Sequence, residues 1–296
     1  MKLLVTGKNG QLAQSLTEHA ALWPGIELIA VGRPDIDLES PGSASELIRR
    51  LKPDLVINAA ADTDVDGAEE QPLRARRING EAAGEVAAAA AAIGSPIIHI
   101  STDYVFDGSS IEPYSEEEPT RPINAYGCSK LAGEEAVQAA NPRHLILRTA
   151  WLYSPFGRNF VKTIFEAAGE RDELRVVADS RGSPTSALDL AGALLKIAEC
   201  WPGTTGREQG AVYHLAGSGE ASWYELACEI MTCRARLGLP TARVIPIAGS
   251  DWPRRAARPS FSVLSNSKFI GDFGFGLPPW QCSVAEVVDR IFEPVG

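Results

Sequence analysis

No stretch of the 296-residue sequence is apolar enough for long enough to cross a bilayer. The longest apolar run, Val86–Ile93, is eight residues and mostly alanine, against the ~20 that a hydrocarbon core requires. The opening MKLLVTGKNG breaks its apolar stretch at Gly7 and Lys8, before the hydrophobic region of a secretory leader can form. Cysteine is scarce too: Cys128, Cys200, Cys228, Cys233 and Cys282 are an odd set with no C-x-x-C pair, and the four histidines are scattered. That pattern argues against a disulfide framework and against a structural zinc site. Free thiols in a reducing cytoplasm are expected. Positive charge is the other shortage, with 28 Lys+Arg against 38 Asp+Glu, a formal net charge of −10 and no basic cluster. Nucleic acid and anionic membranes both require a basic face, so neither is expected as a partner. An anionic ligand would have to be bound by local geometry, against the overall field.

What is present is an ordinary globular composition, 45% hydrophobic and 22% charged, over a length that suits one large domain or two modest ones. Short apolar runs at Lys2–Thr6, Ile26–Val31, Leu55–Asn58, Ile97–Ser101 and Leu145–Leu147 read as strands. Between them Gln11–Leu22, Ser43–Leu51, Pro72–Ile93 and Ala125–Ala139 read as helices, with Ser43 and Glu46 spaced as a capping box. Apolar strands alternating with helices predict a Rossmann-type, doubly wound α/β fold with a parallel sheet covered on both faces. After residue 150 the pattern loosens. Ala187–Cys200 (helix) and Val212–Leu215 (strand) still suit the sheet, whereas Trp223–Arg236 (helix) and Val244–Ile247 (strand) suit a smaller lobe. The expected division is therefore a dinucleotide-binding domain over 1–150, with about 185–216 returning to it, and a substrate lobe drawn mainly from 151–296.

Ligands of such sheets bind at the carboxyl ends of the strands. Directly after the first strand stands Gly7-x-x-Gly10-x-x-Ala13. Gly7 allows a tight turn, Gly10 lets backbone N–H groups approach a pyrophosphate at a helix N-terminus, and Ala13 permits close packing on the sheet. The second strand runs out into Val31-Gly32-Arg33-Pro34, with no carboxylate until Asp35. An Arg there suits a ribose 2′-phosphate, and so points to NADPH rather than NADH. The third constellation is Ser101-Thr102-Asp103 at the end of the fourth strand, followed by Tyr126 and Lys130. Tyrosine and lysine at i and i+4 share a helix face. A free tyrosine ionises near 10, and a neighbouring ammonium is expected to lower that value, so that Tyr126 can exchange a proton in step with hydride transfer. The Thr102 hydroxyl would supply a second donor to a carbonyl oxygen that becomes negative in the transition state.

On these motifs, and on the stretches LLVTGKNGQLA, ISTDYVFDGSSIEPYSEEEPTRPINAYGCSKLAGE and DSRGSPTSALDLA, the chain resembles the dTDP-4-dehydrorhamnose reductase family of extended short-chain dehydrogenase/reductases across nearly its whole length. The resemblance implies NADPH-dependent reduction of the C4 ketone of dTDP-6-deoxy-L-lyxo-4-hexulose to dTDP-L-rhamnose. It implies Thr102, Tyr126 and Lys130 as catalytic residues, with Tyr126 and Lys130 also on the cofactor. It implies Gly7, Gly10, Gln11 and Leu12 at the pyrophosphate, Asp37 and Leu38 at the adenine, and Ala59, Ala60 and Ala61 along the cofactor. Thr63, Val65, Asp103, Tyr104 and Trp151 would face the sugar, and Arg258 the nucleotide diphosphate. Some members hold a Mg²⁺ between glutamates at a dimer contact. The matching positions here are Ser15 and Leu188, so no structural Mg²⁺ is expected, and a monomer or weak homodimer is.

Related chemistries stay open at this level: another nucleotide-sugar 4-ketoreductase, a dehydratase, or a non-catalytic regulatory subunit with this fold. Dehydratases of the superfamily carry Asp-Glu after the threonine, whereas Tyr104 follows Asp103 here. Whether C4 emerges rhamno or talo depends on which face of the sugar meets the nicotinamide.

Overall fold

The structure, a computed structural model, describes residues 1–201 and 210–293. The parts of the expected returning segment and substrate lobe at 202–209 and 294–296 lie outside those residues. The first half alternates as expected: β1 (Lys2–Thr6), α1 (Gln11–Ala20), β2 (Glu27–Val31), α2 (Ser43–Leu51), β3 (Leu55–Asn58), α3 (Val65–Glu70), α4 (Pro72–Arg76), α5 (Ala82–Ala92), β4 (Ile97–Thr102), α6 (Ala125–Ala140) and β5 (His144–Thr149). The second half carries β6 (Leu152–Tyr153), α7 (Phe160–Ala167), β7 (Glu173–Val177), β8 (Arg181–Gly182), β9 (Thr185–Ser186), α8 (Ala187–Cys200) and β10 (Ala211–His214). It ends with β11 (Ala221–Ser222), α9 (Trp223–Arg236), β12 (Arg243–Ile247), α10 (Ser267–Phe273) and α11 (Trp280–Phe292).

Six strands form one parallel sheet in the order β10-β5-β4-β3-β1-β2. The progression reverses between β1 and β3, which opens a crevice at their carboxyl ends. Register aligns those ends, Thr6 beside Asn58 and Thr102 beside Thr149. Alternation along each strand then decides which helices cover which face. Leu3 and Val5 of β1 pack with Leu12 and Leu16 of α1 and Leu190 and Leu194 of α8. Leu4, pointing the other way, packs with Ile48 of α2 and Val86 of α5. Phe269 of α10 also joins the first of these cores. A separate core, built from residues after 150, gathers Val161 and Phe165 of α7, Leu226 and Ile230 of α9, and Val284 and Val287 of α11.

Two local expectations are corrected. Ser43 does not cap α2: Gly42, at φ +73°, holds the cap position without a side-chain bond, and the Ser43 hydroxyl donates to the Asp37 carbonyl at 2.5 Å. Pro72–Ile93 is not one regular helix either, because Arg77–Glu81 opens into a π turn between α4 and α5. That turn buries Asn79 between two segments that both need it, as the site makes clear.

Candidate active site

The crevice holds a cavity of about 660 Å³. Its floor starts at Gly7, at φ +85°, where a Cβ would come 3.0 Å from the Ala60 Cα. Any other residue would strain the turn and push β1 away from the segment after β3. The Thr6 hydroxyl joins the same two segments, donating to Asn58 Oδ1 at 2.7 Å and accepting the Ala60 N–H at 3.1 Å. Gly10 precedes α1 with no side chain capping it, which leaves the first amide groups of the helix available to an anion. A glycine cradle with an uncapped helix N-terminus at a sheet switch point fits the pyrophosphate of a dinucleotide.

Every cofactor residue expected from the sequence lines this cavity, from Gly7, Gly10, Gln11 and Leu12 through Arg33, Asp37 and Leu38 to Ala59, Ala60 and Ala61. Of the substrate set, Thr63, Thr102, Asp103, Tyr126 and Trp151 line it as well. Three others do not. Val65 opens α3 just beyond Asp64. Tyr104 lies behind Tyr126, edge to face at 5.8 Å. Arg258 sits in an adjoining cavity lined by Asp66, Trp252 and Arg254, where it donates to Asp66 at 3.0 Å. Asp64 borders both cavities.

At the far end of the main cavity β4 delivers Thr102 and Asp103, and α6 delivers Tyr126 and Lys130. Asn124 starts α6 by accepting the Gly127 N–H at 2.7 Å and anchors it to the Ala257 carbonyl at 2.8 Å. Lys130 is buried and its Nζ donates to the Ile100 carbonyl at 2.7 Å. Burial lowers its pKa to about 8, opposed by the charge of Glu134 one turn further on. The Tyr126 hydroxyl is desolvated, which raises its pKa well above 10, and its hydrogen bond with Thr102 only partly offsets that. The expected lowering by the lysine is therefore not found in the free protein: burial sets the direction, and Lys130 is not among the groups that oppose it. Thr102 donates to Asp103 Oδ1 at 3.0 Å and accepts the Tyr104 N–H at 3.2 Å.

Several residues at the site escaped sequence reading. Asn79, on the π turn, accepts the Asp62 N–H at 2.7 Å and donates to the Asp62 carbonyl and to Ser129 Oγ, both at 2.9 Å. It thus ties the segment after β3 to α6; the one local signal is the Asn79-Gly80 pair, a turn marker inside an otherwise helical run. Arg74 donates to Asp62 at 2.6 Å and to Glu39 at 3.1 Å. Arg158 lines the cavity from the stretch after β6. Lys8, between the two glycines, reaches Asp35 at 2.8 Å, and its place inside the turn was the one signal available. Trp151, at φ +46°, is stacked on Trp223 with centroids 3.5 Å apart. A Cβ on Gly182 would fall 2.4 Å from its ring. The indole is thus clamped in place where it borders the cavity.

A family model described as the RmlD substrate binding domain matches residues 1–292. A dTDP-4-dehydrorhamnose reductase of Sinorhizobium fredii is 43% identical over 97% of both chains, and that of Escherichia coli K12 is 38% identical over 99% of this chain and 98% of its own. Among solved structures, a dTDP-4-dehydrorhamnose reductase from Clostridium acetobutylicum superimposes with a TM-score of 0.91 at 38% identity, covering 99% of this chain and 100% of its own. That of Bacillus anthracis, solved in complex with NADP, gives 0.88 at 32% identity over 99% of both.

Proposed function

Because the chain belongs to the RmlD substrate binding domain family, we propose that it reduces the C4 ketone of dTDP-6-deoxy-L-lyxo-4-hexulose with NADPH to give dTDP-L-rhamnose. It is an NAD(P)H-dependent oxidoreductase with a nucleotide-sugar substrate. The observation that carries the assignment of residues is one of convergence: Thr102, Tyr126 and Lys130 border the same cavity that begins at the Gly7 turn.

When bound, the reduced nicotinamide supplies a hydride to C4. Tyr126, held protonated by burial, donates its proton to the oxygen that becomes negative. Lys130, one turn along the same helix face, is charged at neutral pH and stabilises the phenolate left behind. The Ile100 carbonyl fixes its ammonium in that place. Thr102 turns its proton from Asp103 to the same oxygen, providing the second donor. An elimination would call for a second carboxylate next to Asp103, where Tyr104 packs against Tyr126 instead.

We assign residues 1–150 and about 185–216 to the cofactor lobe and the rest of 151–296 mainly to the sugar nucleotide, a division supported by the core built after residue 150. Arg258 in the adjoining cavity is assigned to the substrate's diphosphate. The reading of a cytoplasmic location rests on the five free cysteines; that of a monomer or weak homodimer rests on Ser15, which donates to the Gln11 carbonyl, and Leu188, buried among apolar side chains. Neither offers a ligand where some relatives hold Mg²⁺. Among the described residues no helix is long and apolar enough to cross a membrane, and no group of three or more His, Cys, Asp or Glu is placed to hold a metal ion.

The test is loss of NADPH absorbance with the 4-keto sugar nucleotide. Wild type should turn over, and Tyr126→Phe should lose ~10²–10⁴-fold in kcat while still binding NADP⁺. No turnover by wild type sinks the reductase reading; full turnover by the folded Phe variant sinks the role of Tyr126.

A further inference from the structure

Beyond the end of β2, the cavity rim gathers cations that are all already engaged. Lys8 pairs with Asp35 at 2.8 Å. Arg33 Nη1 lies 3.8 Å from Glu39 Oε1, and Arg74 Nη2 donates to that same oxygen at 3.1 Å. Arg74 keeps its other arm on Asp62 at 2.6 Å. One carboxylate oxygen therefore sits between two guanidinium groups, in the wall of the cavity. The backbone holds it there: the Glu39 N–H donates to Asp37 Oδ1 at 3.1 Å, and the Glu39 carbonyl accepts from Arg77 Nε at 3.4 Å.

The end of the second strand is where a dinucleotide places its adenosine ribose. A carboxylate and a phosphate monoester make the same demand on a guanidinium, since each offers two acceptor oxygens to its fork of donors. Glu39 thus stands where a ribose 2′-phosphate would seek its partners. We propose that Glu39 is a resident counter-ion that sets how strongly the protein discriminates between 2′-phosphorylated and unphosphorylated cofactors, an inference that rests on the NADPH reading above. With an unphosphorylated ribose, Glu39 keeps Arg33 and Arg74 neutralised, so an NADH-type ligand meets no bare cations. With a 2′-phosphate, Glu39 has to be displaced, and part of the attraction is spent on that exchange. The net discrimination is smaller than Arg33 alone would give.

Glu39→Gln keeps the shape and removes the charge, and its side chain is 41% exposed, so the variant should fold. The ratio of Kd for NAD⁺ to Kd for NADP⁺, measured by titration calorimetry, is expected to rise three- to tenfold. The same rise is expected for the fragment pair 5′-AMP and 2′,5′-ADP. It should shrink in 0.5 M salt, because exposed charges are screened, and in an Arg33→Ala background, where one of the two cations is gone. A ratio that stays the same or falls overturns the proposal, and so does a rise that comes only from weaker NAD⁺ binding with Kd for NADP⁺ unchanged, which would mean that Glu39 holds the ribose hydroxyls directly. Wild-type protein that binds 2′,5′-ADP no better than 5′-AMP would overturn the NADPH reading itself. A discriminating wild type with an unaltered Glu39→Gln ratio would overturn only the role of Glu39.

Discussion

Asp103 lies at the carboxyl end of β4 with only 2% of its surface exposed. Its Oδ1 accepts a hydrogen bond from the Thr102 hydroxyl, and Ser262 and Thr102 both favour its charged form. Desolvation outweighs its hydrogen bonds and raises its pKa to about 7. An unfolded aspartate titrates near 3.9, so between these values the folded state binds the extra proton. The stability contributed by that proton is complete below pH 4 and is lost as pH rises through 7. At about 1.4 kcal/mol per pH unit the gap is of order 4 kcal/mol. Asp103→Asn, which has no proton to lose, should gain on wild type by ~2–4 kcal/mol in urea denaturation on going from pH 4.5 to 7.5; parallel profiles would rule the assignment out. That Thr102, Tyr126 and Lys130 border one cavity was legible in the sequence, because a strand end and an i, i+4 pair on a helix place them at the carboxyl edge of the sheet. Their ionisation was not. Burial is a property of the folded whole, and it turned the expected lowering at Tyr126 into a rise.

At the scale of elements, the packing of α5 on α6 shows how tertiary contact overrules propensity. Gly133 lies mid-helix in α6, where alanine is normally favoured by ~1 kcal/mol. A Cβ there would stand 2.1 Å from the Asn79 carbonyl oxygen on the π turn, and the hydrogen bonds of Asn79 to Asp62 and Ser129 leave that turn no room to retreat. Gly192, mid-helix in α8, has its nearest neighbour at 4.0 Å, on the His19 ring. Gly133→Ala should therefore cost ~2 kcal/mol or more, as overpacking of a tight contact does, and Gly192→Ala should gain up to ~1 kcal/mol. Thermal unfolding of the two variants checks the opposite signs. The same logic marks what could be read here. Strands and helices up to residue 150, the short α3 excepted, follow from apolar runs and their punctuation. The π turn at Arg77–Glu81 is marked in the sequence only by Asn79-Gly80, a poor helix-forming pair masked by the strong helix formers on either side, and the partners of Asn79 explain why the helix opens there. Ser43 fails as a cap for a related reason: its hydroxyl finds Asp37, a contact made by the fold of the preceding loop.

The two cores of the molecule meet at Gln11. As the first residue of α1 it belongs to the glycine turn, and from sequence it was expected only at the pyrophosphate. Its side chain reaches β6 and the stretch after it, donating to the Leu152 carbonyl at 3.4 Å and accepting from Ser154 Oγ and Asn159 Nδ2, both at 2.9 Å. Asn159 in turn caps α7 through the Lys162 N–H at 3.1 Å, and α7 is built into the second core. The chain after residue 150 gave few readable signals, and α7, α10 and α11 were not anticipated, because their apolar faces meet partners distant in sequence. The net charge of −10 describes the solvent-facing surface and left local geometry to bind an anion, and the cavity wall carries such geometry in the buried Lys130 and the uncapped start of α1. Since Trp151 and Arg158 flank the tethered stretch and line the cavity, Gln11 couples the cofactor turn to the substrate side. Gln11→Ala removes three hydrogen bonds of ~1 kcal/mol each, part of which is regained from water. It should raise both the Kd for NADP⁺ and the KM for the sugar nucleotide, each about three- to tenfold, with kcat reduced less. Calorimetric titration of the cofactor and steady-state kinetics on the sugar separate the possibilities. A change confined to NADP⁺ would mean that Gln11 serves the pyrophosphate alone and that the lobes are held together without it.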